Sequence, residues 1–290
     1  MGPQETKITI LVDNQAGAGL VAEHGLALWI ETEGLRILFD AGQGVALEPN
    51  ARSLGADLSR TDILALSHGH YDHAGGIHQV LRQARNAHVY CHPGVVQPRF
   101  SIRDGTPKSI QAPRESLAAI AKLPERRIRW TAQATALTDR IGVTGYIPRQ
   151  TSFEDAGGPF YLDPEGQRAD PIEDDQALWI RTEAGIIVCV GCAHAGLANS
   201  LDYVQRLNQG LKISAVIGGF HLVNASRERL ERTAAALQGL ELELAVPCHC
   251  TGEHAVSSLR DALGGRVTPG AAGMTFYFPE SRSSLKQVHT

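Results

Sequence analysis

The chain has 290 residues, 43% of them hydrophobic and 20% charged, the balance of a globular protein rather than a disordered, collagen-like or coiled-coil chain. Lysine and arginine number 27 against 31 acidic residues, giving a net charge of −4. With no basic tail, this argues against electrostatic nucleic-acid binding. No apolar stretch approaches the roughly 18 residues that suggest a membrane span, and the first residues lack the basic-then-apolar pattern of a secretory signal. Five cysteines, an odd count, then predict reduced thiols and a cytoplasmic protein.

Short apolar runs predict strands over 7–12, 26–31, 36–39, 63–66 and 88–91, with helices over 45–54 and 77–85. From about 93 to 173 the composition turns to Pro, Arg, Gly and Gln. That stretch reads as a loop-rich insertion with little core of its own, covering the active site and partly strand near 144–147. Regular alternation then returns. Strands are expected over 177–182, 186–190, 213–217, 242–246 and 274–278. Leu197, Leu201, Val204 and Leu207 fall at helical spacing, as do Leu230, Ala234 and Leu237, and a last helix covers 253–263. Two α/β halves in one domain, 1–290, suggest two sheets packed face to face with helices outside.

Residues 67–76 decide the chemistry. His68, His70, Asp72 and His73 place four potential metal ligands within six residues, directly after an apolar strand. His68 and His70, two apart on an extended loop, can share one ion, while Asp72 and His73 turn toward a second. Imidazole suits zinc, iron, nickel and manganese, and a carboxylate adds a harder ligand. Gly69, Gly75 and Gly76 allow the tight bend.

This pattern resembles the metallo-β-lactamase superfamily, which implies a four-layer αββα sandwich with a two-metal site at one sheet edge. Ile37 through Gly42 looks like the superfamily's early strand, whose aspartate, here Asp40, supports the metal loop from behind. The segment Val190 through Gly196 looks like the source of a further metal histidine, His194. Pro247 through Gly252 looks like the last histidine loop, with His249 completing the second metal. One departure stands out. The superfamily usually bridges its metals with an aspartate between those last two histidines, and here the strand ends Gly218-Gly219-Phe220-His221. Either His221 takes a ligand role or solvent fills the bridge. Together with Leu11–Asn14, Ala22–Leu26, Thr144–Arg149 and Asp174–Leu178, these segments resemble the branch of dihydropterin-ribofuranosylaminobenzene-phosphate synthase-like proteins. Its archaeal namesakes join a pterin diphosphate to an aminobenzene ribosyl phosphate, and its bacterial members are usually called metal-dependent hydrolases.

Other residues read less sharply. His221, behind two glycines at a strand's carboxyl end, is a candidate catalytic or substrate-binding residue. His24 is a second candidate for substrate contact, and Arg149 a candidate anion clamp. Asp13 and Asn14 either line the pocket or end a strand in an Asx turn. Arg99, Arg103 and Lys108 read as solvated loop residues that an anion could reach. Asp174 and Asp175 read as loop-orienting. Cys189 reads as a small hydrophobe, and Cys248 and Cys250 as pointing away from His249, with a four-cysteine zinc site the weaker reading. His78, His88, His92, His254 and His289 carry no motif.

The expected cofactor is two divalent transition-metal ions, zinc first, with manganese, iron or nickel as alternatives. The expected reaction is hydrolysis of a phosphoester or related ester of a small anionic substrate by metal-activated water, with Asp72 in the catalytic set. A pterin diphosphate-dependent transferase and a non-catalytic metal-binding sensor are the rivals. The oligomeric state is left open.

Overall fold

A computed structural model describes residues 5–279 and the backbone of 286–288; His289 lies outside the described residues. Successive side chains on a strand leave by opposite faces, and the strands obey this closely. In Ala27–Thr32, Leu28 and Ile30 enter one apolar cluster while Ala27 and Trp29 enter another. In Gly185–Val190, Ile187 and Cys189 join that first cluster, and Ile186, Val188 and Val190 face the other way.

The shared cluster draws Ile8, Ile37 and Phe39 from one sheet and Leu178, Ile217 and Val246 from another, so it fills the space between two sheets. The outer cluster on the first sheet meets the helices Leu47–Ser53, Ile77–Gln83 and Arg114–Ala121. That on the second meets Leu197–Leu207, Arg227–Gly239 and Glu253–Leu263. The result is the expected αββα sandwich. Ser226 caps the longest of these helices, its hydroxyl accepting from Arg229 N at 3.2 Å.

Among the described residues the first sheet has eight strands and the second six. Each begins antiparallel and continues parallel. Leu35–Phe39, Ile63–Ala65 and His88–Cys91 run parallel in the first. Gly185–Val190, Ile213–Gly219 and Leu244–Cys248 run parallel in the second. Carboxyl ends of parallel strands are where ligand sites of α/β folds gather.

The segment 93–173 is not a separate cover. Ile128–Trp130 adds an edge strand to the first sheet, and Ile141–Val143 pairs with Ala177–Thr182 in the second. Val95, Ala112 and Ile120 are buried in the first outer layer, and Ile141 and Val143 between the sheets. Strands of three residues carry too little periodicity to stand out in a polar, proline-rich stretch. The strand expected near 144–147 lies at Ile141–Val143. What lies over the site is narrower, a small sheet of Phe100–Arg103, Thr106–Ser109 and Phe160–Tyr161.

Arg99, which reads as a solvated loop residue in sequence, is 2% exposed and ion-paired to the buried Asp170 and Asp174. Asp174 in turn accepts from Gly69 N at 2.8 Å, so this buried pair holds the loop that carries His68 and His70. Removing the cation would leave two buried carboxylates unpaired. Arg99→Met should therefore cost about 3–5 kcal/mol in denaturant unfolding, and a loss under 1 kcal/mol would show the pair to be dispensable.

Candidate metal centre

Every expected ligand stands at the carboxyl end of a parallel strand or just beyond it. Asp40, at φ +62°, turns back after Leu35–Phe39. Its Oδ1 accepts from Ser67 N at 2.7 Å, and its Oδ2 accepts from Ser67 Oγ and His73 Nδ1, each at 2.7 Å. The serine has given its one proton to Asp40, so its oxygen takes the Nδ1 proton of His68 at 2.8 Å. His73 and His68 are thereby both protonated on Nδ1 and turn Nε2 toward the site, as ligand histidines oriented by a carboxylate behind them do. His68 Nε2 stands 3.0 Å from His70 Nδ1.

His194 and His249 complete the ring. His194 Nδ1 donates to Ala156 O at 2.8 Å, and its Nε2 is buried with no hydrogen-bond partner among the described residues. The His194 ring lies 4.8 Å from that of His68 and 5.0 Å from that of His70. Asp13 and Asn14 reach across from the end of Thr6–Val12. Asp13 Oδ1 accepts from His249 N at 2.7 Å, and Asn14 Oδ1 accepts from His249 Nδ1 at 2.8 Å. His249 Nε2 then faces Asp72 Oδ2 at 3.3 Å, and His24 Nε2 faces the same oxygen at 3.2 Å. The backbone is bent for this purpose: Ala193, His221 and His249 all adopt positive φ, at +51°, +46° and +49°. Non-glycine residues held there cluster at functional sites.

The electrostatics follow. Burial, reinforced by the neighbouring histidines, holds His68 well below the ordinary imidazole range, and burial does the same to His70 and His194. These three rings are neutral and keep a free lone pair. Burial also opposes a charge on His73, but Asp40 and Asp72 outweigh it and raise it to about 9. Burial of Asp72 is outweighed by His73, His24 and His249, which hold it well below the usual carboxylate range. The neutral imidazoles of His68, His70 and His194, with an orphaned Nε2 on His194, and the carboxylate of Asp72 beside them form a donor set that fits divalent cations.

Two cysteines that the motif reading passes over lie inside this set. Cys192 Sγ is 3.1 Å from His73 Nε2 and 3.2 Å from Cys250 Sγ. Donor atoms within 4.8 Å of one another form the groups His68, Cys192, His194; His73, Cys192, His249; Cys192, His221, Cys250; and His24, Asp72, His249. The available signal for Cys192 is its place two residues before His194. Cys250, expected to point away, faces the site because His249 to Thr251 form a helical turn rather than extended chain.

A cavity of about 560 Å³ opens beside these groups, lined by His24, Asp72, His194, His221 and His249. Arg103 and Lys108 of the small covering sheet stand at its wall, Lys108 over the ring of Tyr71 at 5.5 Å. The His221 ring packs 4.4 Å from that of His194, with a buried Nδ1 that has no partner among the described residues.

Arg149 is placed otherwise than the sequence reading has it. Its guanidinium donates to the main-chain oxygens of His194, Pro171 and Ile172, and it does not line the cavity. It braces the His194 loop from outside. The amino end of the helix Leu197–Leu207 is closed: Glu154 accepts from Ala198 N and Asn199 N at 2.9 and 3.0 Å. Asp175 Oδ2 accepts from Ala195 N at 2.7 Å and orders the same loop.

Residues 21–249 match the family model described as the metallo-beta-lactamase superfamily. The chain is 32% identical over 255 residues to the uncharacterized protein MJ0448 of Methanocaldococcus jannaschii, across 87% of this chain and 93% of that one. It is 30% identical over 266 residues to the 7,8-dihydropterin-6-methyl-4-(β-D-ribofuranosyl)-aminobenzene-5′-phosphate synthase of the same organism, across 85% and 87%. The crystal structure of Tm1679, a metal-dependent hydrolase of the β-lactamase superfamily, matches with a TM-score of 0.77 at 28% identity, over 93% of this chain and 98% of that one.

Asp40 touches the site only through Ser67 and His73, which gives a clean test of the arrangement. Asp40→Asn should weaken divalent-cation binding about 10- to 100-fold in chelator competition, with the helical and strand signals of the fold retained. Unchanged affinity would mean that His73 is not oriented from behind.

Proposed function

The chain belongs to the metallo-β-lactamase superfamily, and from that premise we propose that it is a metal-dependent hydrolase of a small anionic ester, a phosphodiester or phosphomonoester first. The observation that carries this reading is the convergence of buried His68, His73, His194 and His249 donor atoms beside Asp72, opening into a cavity walled by Arg103 and Lys108.

His68, His70 and His194 would hold one divalent ion, zinc first, and Asp72, His73 and His249 a second. When bound, such ions supply Lewis-acid polarisation of an ester oxygen and activation of water near neutral pH. The chain's own residues do the rest. Asp40 and Asn14 keep the ligand rings in the tautomer that presents Nε2. Arg103 and Lys108 draw the anion to the mouth and bind it by charge-assisted hydrogen bonds. His24, 54% exposed at its side chain and in contact with Asp72, stands where it can touch the substrate. His221 lies across the cavity on the His194 side, placed to hydrogen-bond the reacting group through its ring.

The 30% identity to a pterin-joining synthase supports a second reading, transfer of a pterin group from its diphosphate to an aminobenzene ribosyl phosphate. The same basic mouth suits a diphosphate. Incubation with both partners separates the readings: a joined product with diphosphate release favours transfer, while ester cleavage by water alone favours hydrolysis.

Elemental analysis of protein purified without chelators and supplied with metal should find two ions per chain; none would overturn the reading. Asp72→Ala should abolish ester turnover, and His254→Ala, outside the ring, should keep it within a few fold. The double variant Arg103→Ala/Lys108→Ala should raise KM for an anionic ester about tenfold with kcat retained. An unchanged KM would remove the covering sheet from substrate recognition.

A further inference from the structure

The two candidate subsites leave one question of charge. Of the six residues His68, His70, Asp72, His73, His194 and His249, Asp72 alone is a carboxylate, so the six supply one negative charge for two divalent ions. The strand Ile213–Gly219 is followed directly by Phe220 and His221, with no carboxylate at its end.

One sulfur answers the geometry. Cys192 Sγ lies within 4.8 Å of the ligand atoms of His68 and His194 on one side, and within 4.8 Å of those of His73 and His249 on the other. Among the described residues it is the donor common to both groups. Cys250 does not share this position, since it groups only with Cys192 and His221. Two donors at about 2.0 and 2.3 Å from one tetrahedral ion stand about 3.5 Å apart. The observed 3.1 Å between His73 Nε2 and Cys192 Sγ is close to that separation.

The position is built rather than accidental. Cys192 is 3% exposed. A Cβ on the preceding Gly191 would lie 2.0 Å from Ser67 Oγ, so the chain there is pressed against the loop that carries His68. The following Ala193 is left-handed at φ +51°, which lets Cys192 and His194 face one point from positions two apart. The orphaned, buried Nε2 of His194, 1% exposed as a residue, marks the same point independently.

We propose that Cys192, as a thiolate, is the ligand shared by the two ions and takes the place of a bridging carboxylate. This rests on the two-ion reading above. On binding, the S–H proton leaves to solvent and sulfur–metal bonds form, with no change of oxidation state. The thiolate adds the second negative charge, and its softness favours zinc or another borderline transition metal over magnesium or calcium.

The test is cobalt(II) loading of the reduced, full-length protein, read by metal content and by the sulfur-to-cobalt charge-transfer band in the near ultraviolet. The wild-type chain should bind two ions and show the band. Cys192→Ser should lose the band and one ion. Cys192→Asp should lose the band and keep two ions, because a carboxylate can bridge. Cys250→Ser should keep both. Circular dichroism verifies that each variant is folded, and the wild-type spectrum tests the idea even if a variant is not. Two bound cobalt ions without the band would overturn the thiolate bridge while leaving the two-ion reading intact. A band that survives Cys192→Ser and disappears in Cys250→Ser would assign the sulfur wrongly, and a single ion carrying the band would exclude sharing. A chain that binds no cobalt would overturn both.

Discussion

The site depends on one buried carboxylate. Asp40 is inaccessible to solvent, lies in a left-handed turn and accepts three hydrogen bonds, two from Ser67 and one from His73. Those bonds tie the end of one parallel strand to the loop after the next, and they choose the tautomer of two candidate ligand histidines. The second sheet is fitted to the same knot. Gly191 has no room for a side chain beside Ser67 Oγ and Asp40 Oδ2. A change at Asp40 would thus reach both sheets and both subsites.

Around that knot the protein arranges its histidines by support from behind. His73 leans on Asp40, His249 on Asn14, His194 on the oxygen of Ala156, and His68 on Ser67. In each case Nδ1–H donates the hydrogen bond, so each ring turns Nε2 inward. Four supports of different kinds produce one chemical outcome, the convergence of the ring nitrogens.

Outside the ring, charge is divided by depth. Arg99 and Arg149, which in sequence look like candidates for an anion, are consumed internally by buried carboxylates and main-chain oxygens. Among the described residues, Arg103 and Lys108 are the Arg and Lys side chains that line the cavity. The amino end of the helix after His194 is closed by Glu154. Under the proposed function, recognition of an anion falls to this small sheet, the kind of element that varies most easily between relatives with different substrates.

The amino-acid sequence by itself determined the sandwich, because period-2 apolar runs alternating with helical ones are a local pattern. It also determined the loop from His68 to His73, because four ligand-type residues within six positions converge whatever surrounds them. What only the tertiary structure decided are meetings across long separations. His73 meets Cys192 from 119 residues away, and His249 meets Asp13 from 236. No spacing encodes such contacts; they arise when two sheets stack and bring their strand ends to one edge. The same holds for the direction of Arg149 and for Cys250, which turns inward because the residues from His249 curl into a helical turn. A side chain's partner is a property of the packed molecule, and the role of Cys192 follows from such packing.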